Sequence, residues 1–312
     1  MQITIDPKAR PCPGVENAIA LAEDALRRGE TVYAVGPLIH NRREVERLEG
    51  LGLRIISSKT LEEKEFRAQC AGKCFILRAH GEPVEIVSLA KSCRMKIIDA
   101  TCPIVRHSHE IVDQHVRDGW RIVIVGNPNH PEVVALLTRA GDTGMVIASS
   151  KEAETVDIEN RTLVMAQTTV DPHIFSEVRR ILSRRISGIK IVDTTCRFLQ
   201  YRQQEIKVFA NAQDVVIFIA GKSSSNGRLL FEIAKSVNPN SFFVEGTSDL
   251  DLSFLKDNVR VGISGGASTP RWQFEEMRGF LETLVKENPK GLKNRKGGSF
   301  LCWMRKSRPK MG

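Results

Sequence analysis

Three cysteines lie at matching places along the sequence, about 90 residues apart. Cys12, Cys102 and Cys196 each follow an apolar run typical of a strand and precede a pattern typical of a helix. A thiol at a helix N-terminus is favoured as thiolate by the helix dipole, and thiolates are the protein ligands of iron–sulfur clusters. Three such ligands, rather than four, would leave one iron open to a substrate. The shared position therefore favours one metal site built from all three thiols.

Two other interpretations of these thiols stay open at this point. Zinc also takes three or more protein ligands, so counting thiols does not identify the metal. Cysteine is among the residue types most often buried in a core, and each thiol taken alone fits that role. Cys70, Cys74 and Cys93 have no partners in the repeat and are predicted to be core residues. Seven cysteines in a chain of 312 residues do not suggest a disulfide framework, which favours a reducing, cytoplasmic location.

A group of polar residues falls where predicted strands end and helices begin. Such positions present backbone N–H groups and helix dipoles to anions. The sequence lacks a Walker-type lysine motif and a G-x-G-x-x-G followed by an acid, so a small diphosphate is favoured over a nucleotide. Each residue taken alone would also serve as an ordinary helix cap or turn residue. The candidate anion-binding residues are His40, His80, His130, Ser224, Ser225, Asn226 and Ser268.

Glu132 is the one carboxylate among these central landmarks. It would occupy the second position of a helix after His130-Pro131, where it would complement the helix dipole. In a site with no other carboxylate it is also the best candidate proton donor, with Thr168 and Thr169 as possible relays. The sequence leaves both roles of Glu132 open.

The elements that would position these residues also recur three times. A strand closing on glycine recurs at residues 32–36, 122–126 and 215–221. Helices and strands alternate throughout, which predicts an α/β fold of three pseudo-threefold-related lobes, with mostly parallel sheets around a central metal cluster. A proline after the last strand of each unit marks a helix start; these prolines are Pro83, Pro172 and Pro270.

The repeat also predicts where each lobe begins and ends. Lobe 3 has no last strand of its own, and the N-terminal strand is free to fill that place. Residues 286–312 are rich in Gly, Pro and Lys and are predicted to be a disordered basic tail. The predicted units are residues 13–101 (lobe 1), 102–195 (lobe 2), 196–285 (lobe 3) and 1–12, the strand that completes lobe 3.

The formal net charge of +9 belongs mainly to that tail. Residues 286–312 hold nine Lys and Arg and one acid, whereas the other 285 residues hold 37 Lys and Arg against 36 Asp and Glu. A charged run of this kind is most often a solvated tail, so no nucleic-acid partner is expected. The sequence has no run of about 18 apolar residues, and its start lacks the apolar core of a signal peptide. No membrane span or membrane partner is therefore expected.

The motifs around these residues form a set that resembles one known family. They are Cys12-Pro13-Gly14-Val15, His40-Asn41, Ala79-His80-Gly81, Asp99-Ala100-Thr101-Cys102-Pro103, His130-Pro131-Glu132-Val133, Gln167-Thr168-Thr169, Asp193-Thr194-Thr195-Cys196, Arg202-Gln203, Lys222 with Ser224-Ser225-Asn226, and Gly266-Ala267-Ser268. Over about 285 residues the chain resembles the 4-hydroxy-3-methylbut-2-enyl diphosphate reductases, the IspH/LytB family of the non-mevalonate isoprenoid pathway.

The resemblance implies a three-lobed α/β fold around an oxygen-sensitive [4Fe–4S] cluster held by Cys12, Cys102 and Cys196. The expected reaction removes the allylic hydroxyl of the substrate with two electrons and two protons, giving isopentenyl and dimethylallyl diphosphates. By the same analogy Glu132, Thr168 and His130 form the catalytic group, and the candidate anion-binding residues hold the diphosphate. The chain has no flavin or NAD motif of its own, so the sequence does not name the electron donor. The resemblance implies an external donor of the ferredoxin or flavodoxin type.

The chain departs from the family pattern at two places. Ala135 stands where the family usually has Gly, and Phe198-Leu199 where it usually has Ala-Thr. The second change adds bulk and removes a hydroxyl close to the predicted cluster, so a paralogue with altered substrate preference stays open. Two other classes also stay open: a non-enzymatic diphosphate-binding protein with buried cysteines, and a zinc-dependent hydrolase that uses the three thiols.

Overall fold

The computed structural model describes residues 1–57, 63–158, 160–252 and 259–287. Within these ranges, strands and helices alternate along the chain and build three sheets. The N-terminal strand and the elements of lobe 1 are β1 (Gln2–Ile5), α1 (Pro13–Arg27), β2 (Val32–Val35), α2 (Arg42–Gly50), β3 (Arg54–Ile56), α3 (Glu63–Cys70), β4 (Cys74–Leu77), α4 (Val84–Ser92) and β5 (Lys96–Asp99).

The other two lobes repeat this alternation, each with one short 3-10 turn. Lobe 2 contains α5 (Pro103–Arg117), β6 (Arg121–Val125), α6 (Pro131–Ala140), a 3-10 turn (Gly141–Thr143), β7 (Gly144–Ile147), α7 (Ser150–Thr155), β8 (Thr162–Ala166), α8 (Pro172–Arg185) and β9 (Lys190–Val192). Lobe 3 contains α9 (Arg197–Asn211), β10 (Val215–Ile219), α10 (Ser225–Val237), β11 (Ser241–Val244), a 3-10 turn (Thr247–Asp249), β12 (Arg260–Gly265) and α11 (Arg271–Glu287).

The three sheets have the same strand order. They run β3-β2-β4-β5, β7-β6-β8-β9 and β11-β10-β12-β1. Every strand pairing in the described residues is parallel. The N-terminal β1 pairs with β12, from Gln2 opposite Arg260 to Ile5 opposite Ile263, and so occupies the place that β5 and β9 take in the other sheets. The predicted α/β class with three parallel-sheet lobes is confirmed.

Each sheet is covered by helices on both faces, which explains the nearly continuous apolar runs of its central strands. In lobe 1, Ala34 packs with Leu48 on one face, while Tyr33 packs with Phe75 on the other. Paired clusters of the same kind cover the sheets of lobe 2 and lobe 3. These cores fix the carboxyl ends of the strands, which is where ligands bind in open α/β sheets.

The helix boundaries differ slightly from the predicted ones. Pro172 is the first residue of α8, as predicted, but Pro83 and Pro270 each precede their helix by one residue. Helix α11 continues to Glu287, so the first two residues of the predicted tail are helical. The rest of that predicted tail lies outside the described residues. None of the described helices combines the length and the apolar character needed to span a membrane.

Candidate active site

The three repeated cysteines stand at the same backbone position in the three lobes. Each is the N-cap residue of a long helix, α1, α5 or α9, and each has extended backbone angles that turn the chain into that helix. The backbone N–H of each cysteine donates to a carbonyl two residues beyond the end of β12, β4 or β8. These bonds are Cys12 to Ala267, Cys102 to Ala79 and Cys196 to Thr168, all 2.9 Å long.

The three thiols lie close enough to influence one another. The pKa of the Cys12 thiol is raised to about 11, mainly by burial and in smaller part by the nearby Cys102 and Cys196. Burial also raises the pKa of Cys196, although the N–H groups of Leu199 and Phe198 at the start of α9 lower it. A Cβ atom added to Gly14 would lie 2.9 Å from the Cys102 sulfur, so glycine leaves room for that thiol. Three thiolates in so dry a place need a cationic partner.

The described cysteines fall into two groups, three at one cavity and three in a core. Within the described part of the chain, no group of three or more His, Cys, Asp or Glu side chains is arranged to hold one metal ion. All six described cysteines are free, and the three repeated ones are partly accessible from one cavity. Cys70, Cys74 and Cys93 are buried elsewhere, in the core of lobe 1.

We call this space the central cavity. Counting its mouth, it contains about 720 Å³ of non-protein space, part of which is open to solvent. Residues of all three lobes line it: Cys12, Gly14, Val15, Ile39, His40, Ala79, His80, Cys102, Ile104, Val105, His130, Glu132, Thr168, Thr169, Cys196, Leu199, Ser225, Asn226, Ala267 and Ser268.

Three histidines form a compact group on one wall of the cavity. The rings of His40 and His80 stack with centroids 4.9 Å apart, and the His130 ring lies 5.1 Å from that of His40. The Nε2 atoms of His40 and His80 are buried and have no hydrogen-bond partner among the described residues. Buried polar atoms are rarely left unpaired in native proteins, so these two nitrogens mark the place of a ligand.

Burial keeps these imidazoles neutral. It lowers the pKa of His40 to about 4, helped by the charge of Arg78, and the pKa of His130 to about 3. The pKa of His80 falls well below its usual range for the same reason. The Nδ1 atom of His130 accepts a hydrogen bond of 3.2 Å from the Glu132 N–H, which places the proton of the neutral ring on Nε2. An anion in the cavity would raise all three pKa values and strengthen its own binding.

The His40 loop is held from behind by lobe 3. Asn41 caps α2 by accepting the Glu44 N–H, and it exchanges two amide hydrogen bonds with Gln273 of α11, at 2.9 and 3.1 Å. The indole of Trp272 donates to the buried carboxylate of Glu44 at 2.7 Å. Because this network crosses the seam between the lobes, it fixes the direction of the His40 ring relative to lobe 3.

Glu132 and Thr168 form a buried pair beside the thiols. The Thr168 N–H donates to one carboxylate oxygen of Glu132 at 2.6 Å, and the Thr168 hydroxyl donates to the other at 2.7 Å. Burial raises the pKa of Glu132 to about 7 even though both hydrogen bonds lower it. A carboxyl with such a pKa holds and releases a proton near neutral pH, which is the property required of a general acid.

Lobe 3 contributes hydroxyl and amide side chains to the wall of the cavity beside His40. Ser225, Asn226 and Ser268 line the cavity, but Ser224 lies behind this wall, where its hydroxyl caps α10 by accepting the Gly227 N–H. The Ser268 hydroxyl donates to the His40 carbonyl at 3.1 Å, and a 3.4 Å contact joins it to the Ser224 hydroxyl. The structure therefore brings every predicted site residue to the cavity except Ser224, which supports Ser268 from behind.

Sequence reasoning placed Leu199 near the thiols but missed that Val15 and Val105 complete an apolar ring with it. Val15, Val105 and Leu199 each follow a repeated cysteine by three residues, each is more than nine-tenths buried, and each lines the cavity. The signal was present in the sequence, because these positions share the helical turn that each cysteine begins. Thr169, considered as a relay, lies at the cavity but donates nothing to Glu132; it accepts a hydrogen bond from the Gln167 amide. Ala135 is buried in α6 and does not line the cavity.

Comparisons with known proteins agree on one family. The profile of the LytB protein family matches residues 3–282. A 4-hydroxy-3-methylbut-2-enyl diphosphate reductase of Bacteroides thetaiotaomicron is 35% identical, and the match covers 92% of this chain and 100% of that protein. The Aquifex aeolicus protein of the same name is 36% identical, with 91% and 97% covered.

Two solved structures have a similar fold. One is described as (E)-4-hydroxy-3-methyl-but-2-enyl diphosphate reductase, the terminal enzyme of the non-mevalonate pathway; it is 35% identical, with a TM-score of 0.67 over 91% of this chain and 100% of that one. The other, a reductase from Plasmodium falciparum, has a TM-score of 0.79 over 91% of this chain and 88% of that one. At 23% identity it supports the fold alone.

Proposed function

This chain belongs to the LytB protein family, and we propose on that basis that it is a 4-hydroxy-3-methylbut-2-enyl diphosphate reductase. It removes the allylic hydroxyl of this substrate as water, with two electrons and two protons, and releases isopentenyl and dimethylallyl diphosphates. The observation that carries the proposal is the convergence of three equivalent thiols, two unpartnered imidazole nitrogens and the Glu132–Thr168 pair on one cavity.

Cys12, Cys102 and Cys196 would hold a [4Fe–4S] cluster. Their position at three helix N-termini favours the thiolate form that such a cluster requires, whereas burial raises the pKa of Cys12 and Cys196. The cluster, when bound, supplies electrons to the substrate and offers the iron that has no protein ligand. The chain itself contributes the thiolates, the apolar ring that keeps water away from them, and the wall that orients the substrate.

The diphosphate would bind between lobe 1 and lobe 3. His40 and His80 present unpartnered Nε2 atoms, and Ser225, Asn226 and Ser268 line the same cavity. His130 carries its ring proton on Nε2 and completes the group, while Ser224 acts through Ser268. Charge-assisted hydrogen bonds from several donors would hold the phosphates and leave the allylic end of the substrate near the thiols.

Glu132 would supply the proton that leaves with the hydroxyl. It is the carboxyl of the central cavity, and its pKa near 7 keeps a large protonated fraction at neutral pH. Thr168 connects Glu132 to the substrate, because its hydroxyl can pass a proton between Glu132 and a group in the cavity. His130 fixes the turn on which Glu132 sits through the bond from the Glu132 N–H.

The proposal includes an external electron donor of the ferredoxin or flavodoxin type and a cytoplasmic location. Six free cysteines within the described ranges fit a reducing compartment. The two other classes find less support. A zinc hydrolase would need three thiols arranged around one ion, and a simple diphosphate-binding protein would have no use for a buried carboxyl with a raised pKa beside the thiols.

The decisive experiment is anaerobic purification followed by iron and sulfide analysis of cysteine variants. Wild-type protein should be brown, and Cys12→Ser, Cys102→Ser and Cys196→Ser should each lose the visible absorption and the iron. The matched control is Cys74→Ser, because the buried Cys74 thiol donates only to Glu30, at 2.7 Å, and a serine hydroxyl can replace it. Full iron content in Cys102→Ser protein would remove the ligand assignment, and a colourless wild-type protein containing zinc would favour the hydrolase.

A further inference from the structure

One exposed patch lies where a thiol-bearing helix begins. Helix α9 starts directly after Cys196. In its first two turns, Arg197 and Tyr201 are exposed to solvent. The Tyr201 side chain is 69% exposed, which is unusual for a large aromatic residue. Because Tyr201 follows Cys196 by five residues, it lies only about 8 Å farther along the helix axis.

The patch also involves the loop that carries Cys12. The guanidinium of Arg10 lies over the ring of the partly buried Phe198, 6.0 Å from its centroid. Phe198 and Tyr201 are three residues apart on α9, and Arg197 and Tyr201 are four apart, so all three share one face of the helix. Arg10, Arg197, Phe198 and Tyr201 therefore form one surface, which we call the Tyr201 patch, beside two of the three thiols.

The charges of the Tyr201 patch have no partner within the described part of the chain. Arg10 and Arg197 are exposed and make no ion pair there, whereas Arg27 and Arg42 each pair with an acid one turn away. The nearest carboxylates along the chain are already engaged. Asp193 accepts from the N–H and hydroxyl of Thr195, and Glu205 binds Arg202. Two unpaired arginines beside two aromatic rings are the residue types enriched at the centre of protein interfaces.

We propose that the Tyr201 patch is the docking surface for an acidic electron-carrier protein. This inference rests on the proposed reductase function, which requires two electrons from outside, since the sequence has no flavin or NAD motif. The positive charge of the patch favours an acidic partner. The C-terminal segment of this chain is itself strongly basic, and a second copy carries a net charge of +9, so both are repelled, whereas an acidic carrier is attracted.

The test uses the full-length, cluster-loaded protein under anaerobic conditions, with a reduced acidic flavodoxin as the probe. The variant R10E/R197E reverses the charge of the patch. Its kcat/KM for flavodoxin should fall by at least about 10-fold and lose its dependence on ionic strength. Its flavodoxin Kd should rise in parallel. Turnover with reduced methyl viologen, a small reductant that needs no docking surface, should stay unchanged.

The matched control is R27E/R184E, which makes the same change in net charge in the last turns of α1 and α8. Wild-type flavodoxin affinity in R10E/R197E, or equal losses in both double variants, would overturn the proposal. So would patch-dependent self-association, seen by sedimentation, with flavodoxin binding intact. If R10E/R197E loses iron, Tyr201→Ala gives the same test at an exposed position. Absence of any turnover with methyl viologen in wild-type protein would instead contradict the reductase function.

Discussion

Two parts of the central cavity are built on the same threefold backbone but carry different side chains. At the thiols, each lobe places cysteine at a helix N-cap and an apolar residue three positions later. On the polar wall, the equivalent positions diverge. The residue five positions after β2, β6 or β10 is His40, His130 or Ser224, and the residue after the carbonyl that accepts each cysteine N–H is His80, Thr169 or Ser268.

The difference shows how a symmetric fold makes an asymmetric site. A polynuclear group needs similar ligands from several directions, which a repeat provides through its backbone. A substrate with a charged end and a reactive end needs different groups on different sides. The lobes therefore differ in the loop residues, which tolerate change because they do not hold the sheets together.

Burial acts in opposite directions on the two kinds of titratable group in the polar wall. It disfavours the charged form of each, so the pKa of His40 falls to about 4 while that of Glu132 rises to about 7. At neutral pH the wall thus holds uncharged imidazoles and a carboxyl that is partly protonated. Such a wall has little charge of its own, and the histidines become easier to protonate when an anion binds beside them.

The largest effect on the asymmetric wall should come from Glu132→Gln, which removes the acid and keeps the shape. Turnover of 4-hydroxy-3-methylbut-2-enyl diphosphate with an artificial reductant should fall by roughly 10²–10⁴-fold. Binding of the diphosphate should survive, because the histidines and the lobe 3 residues are unchanged. In wild-type protein, turnover should fall as pH rises above about 7, since the acid form of Glu132 is then lost. Anaerobic kinetics and substrate titration measure both quantities.

A contrasting outcome would identify Glu132 as a helix residue only. If it merely complements the dipole of α6, Glu132→Gln should cost about 0.3–1 kcal/mol of unfolding free energy and leave turnover nearly unchanged. Thr168→Val separates these cases further. It removes the hydroxyl that donates to Glu132 at 2.7 Å and keeps the backbone N–H bond, so an impaired turnover would place the relay at that hydroxyl.

The sequence sufficed for the symmetric part of the site. Pro13 and Pro103 directly follow a cysteine and occupy the first helical position, so the N-cap place of Cys12 and Cys102 could be predicted locally. The support role of Ser224 could not, because it depends on its contact with Ser268, which in turn donates to the His40 carbonyl of another lobe.

The contacts between lobes could not be predicted from the sequence. A Cβ atom on Gly221 would lie 2.4 Å from the carbonyl oxygen of His40, so the two loops nearly touch although they are distant in sequence. Local periodicity contains no information about contacts of this kind. Nor does it reveal that the Nε2 atoms of His40 and His80 stay unpartnered, which follows only from how closely the two rings stack.

A smaller effect is expected where equivalent positions carry different donors. His80→Phe keeps the stack with His40 and removes the unpartnered Nε2 atom, so the Kd of inorganic diphosphate should rise by about 10- to 100-fold. Ser268→Ala should weaken binding less, because the Ser268 hydroxyl already donates to the His40 carbonyl. Isothermal titration with apo-protein tests both variants. An equal loss of diphosphate affinity in the two variants would mean that the two positions contribute equally to binding although their side chains differ.

The smallest effect tests the symmetric part of the site. Val105→Thr leaves the shape of the apolar ring almost unchanged and adds one hydroxyl, whereas Leu199→Thr also removes a methyl-sized volume beside Cys196. Burying a hydroxyl without a good partner costs roughly 1–3 kcal/mol, so both variants should unfold more easily than wild type. Both should also lose iron faster in air, while anaerobic turnover changes little, since neither residue is among the groups proposed to bind the diphosphate or to move a proton.

The comparison between the two variants decides whether the apolar ring acts as a unit. If its role is to keep water from the thiols, the iron-loss rates of Val105→Thr and Leu199→Thr should rise together, because both positions lie three residues after a thiol and line the cavity. Bleaching of the visible absorption after exposure to air measures these rates directly. A stable Val105→Thr protein beside a labile Leu199→Thr protein would assign protection to the bulk of Leu199 alone. In that case the threefold symmetry of the backbone would not extend to the protection of the cluster.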